Sequence, residues 1–163
     1  MNLKAVELNG YLKGWADVNE KPADTSCFFE LIPLPESDFQ WLHHCVTGQL
    51  ELPKGISLEE SAEPEQLLAS VLAKWCFFEI PLVERDKATL LVQEAGGRDW
   101  RVKKMVDSFN KAFGFFRFME IEQTEFPPDP KTGRYPFVAL HWQEYVLVAE
   151  DRTQWFLHFG VTD

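Results

Sequence analysis

The stretch FVALHWQEYVLVA at 137–149, the triplet EDR at 150–152 and the stretch TQWFLHFGV at 153–161 decide how this chain folds. Both long stretches are rich in aromatic and β-branched residues, and the triplet between them is polar, so the pattern predicts a long antiparallel hairpin. A two-residue turn at Asp151-Arg152 places Trp142, Val146 and Val148 on one face with Trp155, Leu157, Phe159 and Val161. That face is apolar and reads as core. The other face carries Gln143, Tyr145, Leu147, Gln154, Phe156 and His158, with His158 opposite Tyr145, and is half polar.

Outward from the hairpin, Phe115–Gln123 reads as a strand, and Pro127, Pro128 and Pro130 mark a loop before it resumes. Asp99 caps a helix that runs to Phe113 and stops at Gly114. Its apolar stripe is Val102, Met105, Val106, Phe109 and Phe113. Ala88–Gln93 reads as a strand ending at Gly96-Gly97. Pro64 opens a second helix carrying Leu67, Leu68, Val71, Leu72 and Trp75. Residues 49–62 read as a loop with room for a short strand at Gln49–Leu52. Ser37-Asp38-Phe39-Gln40 matches a capping box for a helix to Val46, closed by Gly48. Cys27–Ile32 is a short buried strand before Pro33. At the start, Lys4–Leu8 and Tyr11–Trp15 flank Asn9-Gly10, the dipeptide a type I′ hairpin turn favours. The fold expected is one α+β domain over residues 1–163. It has a mostly antiparallel sheet of about six to eight strands and about three helices packed on one face.

Charge narrows the partners. Twenty-six acids against sixteen bases give a net of −10 over 163 residues. Residues 1–65 hold twelve acids against four lysines, a net of −8, so the excess belongs to the N-terminal two-fifths. Such a surface repels phosphate backbones and anionic lipid and attracts a basic protein. No apolar run is long enough to span a membrane, and Glu7 and Asn9-Gly10 interrupt the region where a signal peptide needs apolar residues. Cys27, Cys45 and Cys76 form an odd set without a CxxC pair, which fits a reducing cytoplasm.

No motif for a cofactor or metal stands out, and none is expected. His43-His44-Cys45 are adjacent on a helix and point about 100° apart, so they cannot jointly hold one ion. Gly96-Gly97-Arg98 resembles an anion cradle, but Asp99 takes the amides that an anion would need. Glu120 and Glu122 share a strand face without anything to place a sugar beside them. Arg98, Arg101, Lys103, Lys104 and Lys111 with Trp100 make helix 99–113 the one basic cluster, and nucleic-acid binding through it is the weakest reading. An enzyme or small-molecule site built from Tyr145, His158 and His141 on the second hairpin face is the alternative. The leading expectation is a non-catalytic protein-binding module, in its narrowest form an immunity-type inhibitor of a basic toxin or effector. Its contact residues are Glu51, Glu59, Glu60, Glu63 and Glu65, with Trp41, which lies off its helix's apolar stripe, as an exposed anchor.

Overall fold

The computed structural model describes residues 2–20, 26–76, 98–124 and 141–162. Within them the order is α1 (Leu3–Glu20), β1 (Ser26–Pro33), a 3₁₀ turn (Leu34–Glu36), α2 (Gln40–Val46), β2 (Ile56–Glu60), α3 (Pro64–Cys76), α4 (Arg98–Phe113), β3 (Arg117–Gln123), β4 (His141–Val148) and β5 (Gln154–Thr162). The five strands form one antiparallel sheet in the order β1-β5-β4-β3-β2. The α+β class with an antiparallel sheet is therefore as expected. The strand count among the described residues is lower than expected, and the strand expected at Ala88–Gln93 lies outside them.

The sheet is covered on both faces. One core joins α1, α3 and α4 to Phe29, Leu31, Phe118, Tyr145, Leu147, Leu157 and Phe159. A second, smaller core joins Leu34, Trp41 and Leu42 to Met119, Ile121, Val146 and Phe156. The sequence predicts all helices on one face. The α2 segment corrects this, because its apolar residues fill the half-polar side of β4 and β5.

Two expectations fail for identifiable reasons. The first twenty residues are a helix, not a hairpin. Ala5, Leu8, Leu12, Ala16 and Asn19 form its buried stripe at spacings of three and four. Leu3, Val6, Tyr11 and Val18 are exposed around it and blur the periodicity. Asn9 is needed in the helix, where its Oδ1 accepts from Leu31 N at 2.8 Å. Glu20 Oε1 likewise accepts from Cys27 N at 2.9 Å. These two side chains take up two amides of β1, at Cys27 and Leu31, that would otherwise be offered to another strand.

The C-terminal hairpin exists, but its register is one residue away from the expected one. Ala149 N donates to Thr153 O and Arg152 N to Ala149 O, so three residues form the loop. Arg152 sits at φ 67, the left-handed position that closes such a loop. A one-residue slip exchanges faces. Tyr145 therefore lies opposite Leu157, and Glu144 opposite His158. Gln49–Leu52 forms no strand; the strand is Ile56–Glu60 instead.

Candidate functional site

The acidic residues gather around β2, the outer strand of the sheet opposite to β1. No described element pairs with its outer side. Ser57 and Glu59 lie opposite Glu122 and Glu120 of β3. Two carboxylates directly opposite each other repel across a strand pair, an arrangement that costs stability. Glu63 and Glu65 follow at the start of α3, where the helix dipole favours them, and both are exposed. Glu65 Oε1 accepts from Asn110 Nδ2 at 3.1 Å.

The expected contact set is thus divided. Glu59, Glu63 and Glu65 share the β2–α3 corner. Glu60 projects to the other sheet face and is held by Arg117 through two bonds of 2.6 and 2.5 Å. This bidentate pair lowers the Glu60 carboxyl below its ordinary range, first through the hydrogen bond and then through charge, and raises Arg117 correspondingly. Glu51 is exposed in the loop before β2, and its carbonyl accepts from Cys45 Sγ at 3.4 Å. Trp41 is no surface anchor. It is 4% exposed and packs beside Phe39 in the second core, and its Nε1 has no hydrogen-bond partner among the described residues.

Tyr145, His158 and His141 do not line a common pocket. Tyr145 points to the α1/α3/α4 face, stacks on Phe118 at 4.8 Å and brings its hydroxyl to 3.5 Å from Glu120 Oε1. Burial, then the Glu120 charge, pushes its phenol well above the usual range, so it stays protonated. Gln143 bridges this group, donating to Glu120 at 3.2 Å and accepting from Lys74 and Trp75 at 2.8 and 2.9 Å. His141 is exposed at the start of β4.

His158 points to the opposite face and has a different neighbour set. In register it stands between Glu30 of β1 and Glu144 of β4. Its Nδ1 donates to Glu144 Oε1 at 3.1 Å, and Gln123 Nε2 donates to Glu144 Oε2 at 3.2 Å. The side chains of His158 and Glu144 are 8% and 2% exposed. Beside them opens a pocket of about 230 Å³. Sequence reasoning singled out His158 but missed Glu144. The period-two pattern of β4 and β5 held that information, and the assumed turn length hid it.

The remaining candidates have ordinary surroundings. His43 Nδ1 donates to Gln154 Oε1 at 2.9 Å and His44 Nδ1 to Gln49 Oε1 at 2.7 Å. Among the described residues no three His, Cys, Asp or Glu side chains converge on a metal position. On α4, Lys104 Nζ lies 4.1 Å over the Trp100 ring, which is 57% exposed. No described helix is long and apolar enough to cross a membrane. The chain matches none of the known family models, characterised proteins or solved structures with which it was compared.

Proposed function

We propose that this chain is a non-catalytic protein-binding module that receives a basic partner at the β2–α3 corner. The observation that carries this reading is the asymmetry of the two sheet edges. Asn9 and Glu20 occupy two amides of the edge at β1, those of Leu31 and Cys27. The edge at β2 has no described covering and is rimmed by Glu59, Glu63 and Glu65. An outer strand can take a partner's extended segment through main-chain hydrogen bonds, and the acids around it select for lysine and arginine. The Glu59–Glu120 opposition supports the same reading, since a repulsive pair is relieved when a cation docks between its members. In its narrowest form the module is an inhibitor that occupies the cationic face of a toxin or effector.

The test uses the full chain as bait at low and high salt. A single basic protein is expected to bind at low salt and to be released by salt. Changing Glu59, Glu63 and Glu65 together to lysine should weaken capture about 10–100-fold, from roughly 1–3 kcal/mol of lost and reversed charge contacts. Unchanged capture by the triple variant contradicts the proposal.

A further inference from the structure

We infer that the segment received at the β2–α3 corner is an extended one with alternating basic and apolar side chains, added antiparallel to β2 as a further strand of the sheet. This rests on the corner being the docking surface and names what docks there.

In an antiparallel ladder, alternate residues turn both their N–H and their C=O toward the same neighbour. Gly55 O accepts from Thr124 N at 2.8 Å and Ser61 N donates to Phe118 O at 3.0 Å, one at each end of the β2–β3 pairing. Ser57 and Glu59, in phase with them, therefore face β3, and Ile56, Leu58 and Glu60 turn their main-chain groups outward. Ile56 N is taken by Pro53 O at 3.2 Å, which closes that end. Among the described residues nothing takes the N–H or C=O of Leu58 or the N–H of Glu60. A residue set opposite Leu58 can exchange two hydrogen bonds with it, and the residue two before it can accept from Glu60 N. Every pair already in the sheet is antiparallel, and the added strand continues that order.

Side chains set the pattern, because the two faces of this edge differ. Glu59 lies on the face of α1, α3 and α4, opposite Glu120, and has no ion pair among the described residues. Leu58 lies on the α2 face, where it joins Leu52 and Val46, all partly buried, at the margin of the second core. Glu60 shares that face, but Arg117 already neutralises it. The side chains of an added strand alternate between the same two faces. An apolar residue beside Leu58 extends the second core, and lysine or arginine beside Glu59 meets an unmatched carboxylate. A second copy of β2 fits poorly, because it brings the same acids to the same edge.

The probe is a capped octapeptide of alternating lysine and valine. Its block isomer, lysines first and valines last, has the same composition and charge. Two further isomers of the alternating peptide carry N-methyl groups on the valines or on the lysines. In the antiparallel strand the valine amides face β2 and the lysine amides face solvent. Calorimetry with the full chain should show the alternating peptide binding at least tenfold tighter than the block isomer. Valine methylation should weaken it at least tenfold more than lysine methylation. Hydrogen exchange at the Leu58 and Glu60 amides should slow at least fivefold with the alternating peptide bound and stay fast with the block isomer. Equal or absent binding of the alternating and block peptides, equal loss from the two methylated isomers, or unchanged exchange at Leu58 and Glu60 each overturn the strand addition. If both peptides then still bind, and reversing Glu59, Glu63 and Glu65 weakens both, the corner stands as a docking surface and only the added strand is refuted. If the charge reversal changes nothing, the docking surface itself is refuted.

Discussion

Replacing Arg152 by glycine raises the stability of this protein, although glycine on an exposed loop ordinarily lowers it. Arg152 is the only described non-glycine residue with positive φ, at 67°. A side chain there crowds the following carbonyl at a cost of about 1–2 kcal/mol. Glycine removes that cost and adds about 0.4–1 kcal/mol of unfolded-chain entropy. The net gain is about 0.5–1 kcal/mol, which for a chain of this size moves the melting temperature by about 1–4 °C. Asp151 has no positive φ, and its Oδ1 accepts from Thr153 N and Oγ1 at 2.9 and 2.6 Å. Asp151→Gly therefore destabilises, and Arg152→Val destabilises more than Arg152→Ala. Thermal and urea unfolding followed by tryptophan fluorescence read the series. A two-residue type I′ turn demands positive φ at both positions and predicts that both glycine variants stabilise. That outcome, or a lower melting temperature for Arg152→Gly, refutes the three-residue loop and with it the pairing of His158 with Glu144.

Other consequences are equally direct. Glu59→Lys relieves the Glu59–Glu120 opposition and should raise stability by about 0.2–1 kcal/mol in urea unfolding while weakening capture of the basic partner, so a folding defect cannot explain the loss. Trp41→Ala should cost about 3–5 kcal/mol as a core truncation, whereas Trp41→Phe, which removes a buried N–H without a described partner, should cost far less; equal costs in the same assay contradict the buried position. A thiol reagent should modify Cys45 in the native protein and Cys27 and Cys76 only after unfolding, because both are buried and desolvation pushes the Cys76 thiol far up. The Thr153 hydroxyl and amide hold the Asp151 carboxyl below its usual value, so its contribution is present above the unfolded carboxyl range and is lost as pH falls through the folded value. Asp151→Asn should then flatten the acid limb of the stability–pH curve; an unchanged limb speaks against the Thr153 contact.

How much the sequence disclosed depended on whether local chemistry and tertiary demand agreed. In α3 and α4 they agree: an apolar stripe, an acidic first turn and, for α4, Gly114 at φ 66 mark helices that pack as their patterns require. In α1 they conflict. Asn9-Gly10 has the local chemistry of a turn, but Asn9 serves the edge of β1, a contact 22 residues away that no local pattern encodes. The hairpin shows the same limit on a smaller scale. Its strands were legible, but the loop length was not, and one residue decided which side chains meet. The Ser37 signal was half right: its Oγ accepts from Phe39 N, yet the helix begins beyond it at Gln40. For the acidic flank, composition located the excess charge, but it could not distinguish Glu60, tied to Arg117, from Glu59, set against Glu120.

The most direct measurement compares two triple variants of equal net charge for association with the basic partner. One reverses Glu59, Glu63 and Glu65 at the β2–α3 corner. The other reverses Glu7, Asp17 and Asp107, exposed residues on α1 and α4. Both change the net charge from −10 to −4. If the corner is the docking surface, the first variant loses about tenfold or more in association rate at low salt and the second keeps nearly all of it. Equal losses would show that the partner responds to overall charge alone, and the corner would have no special role.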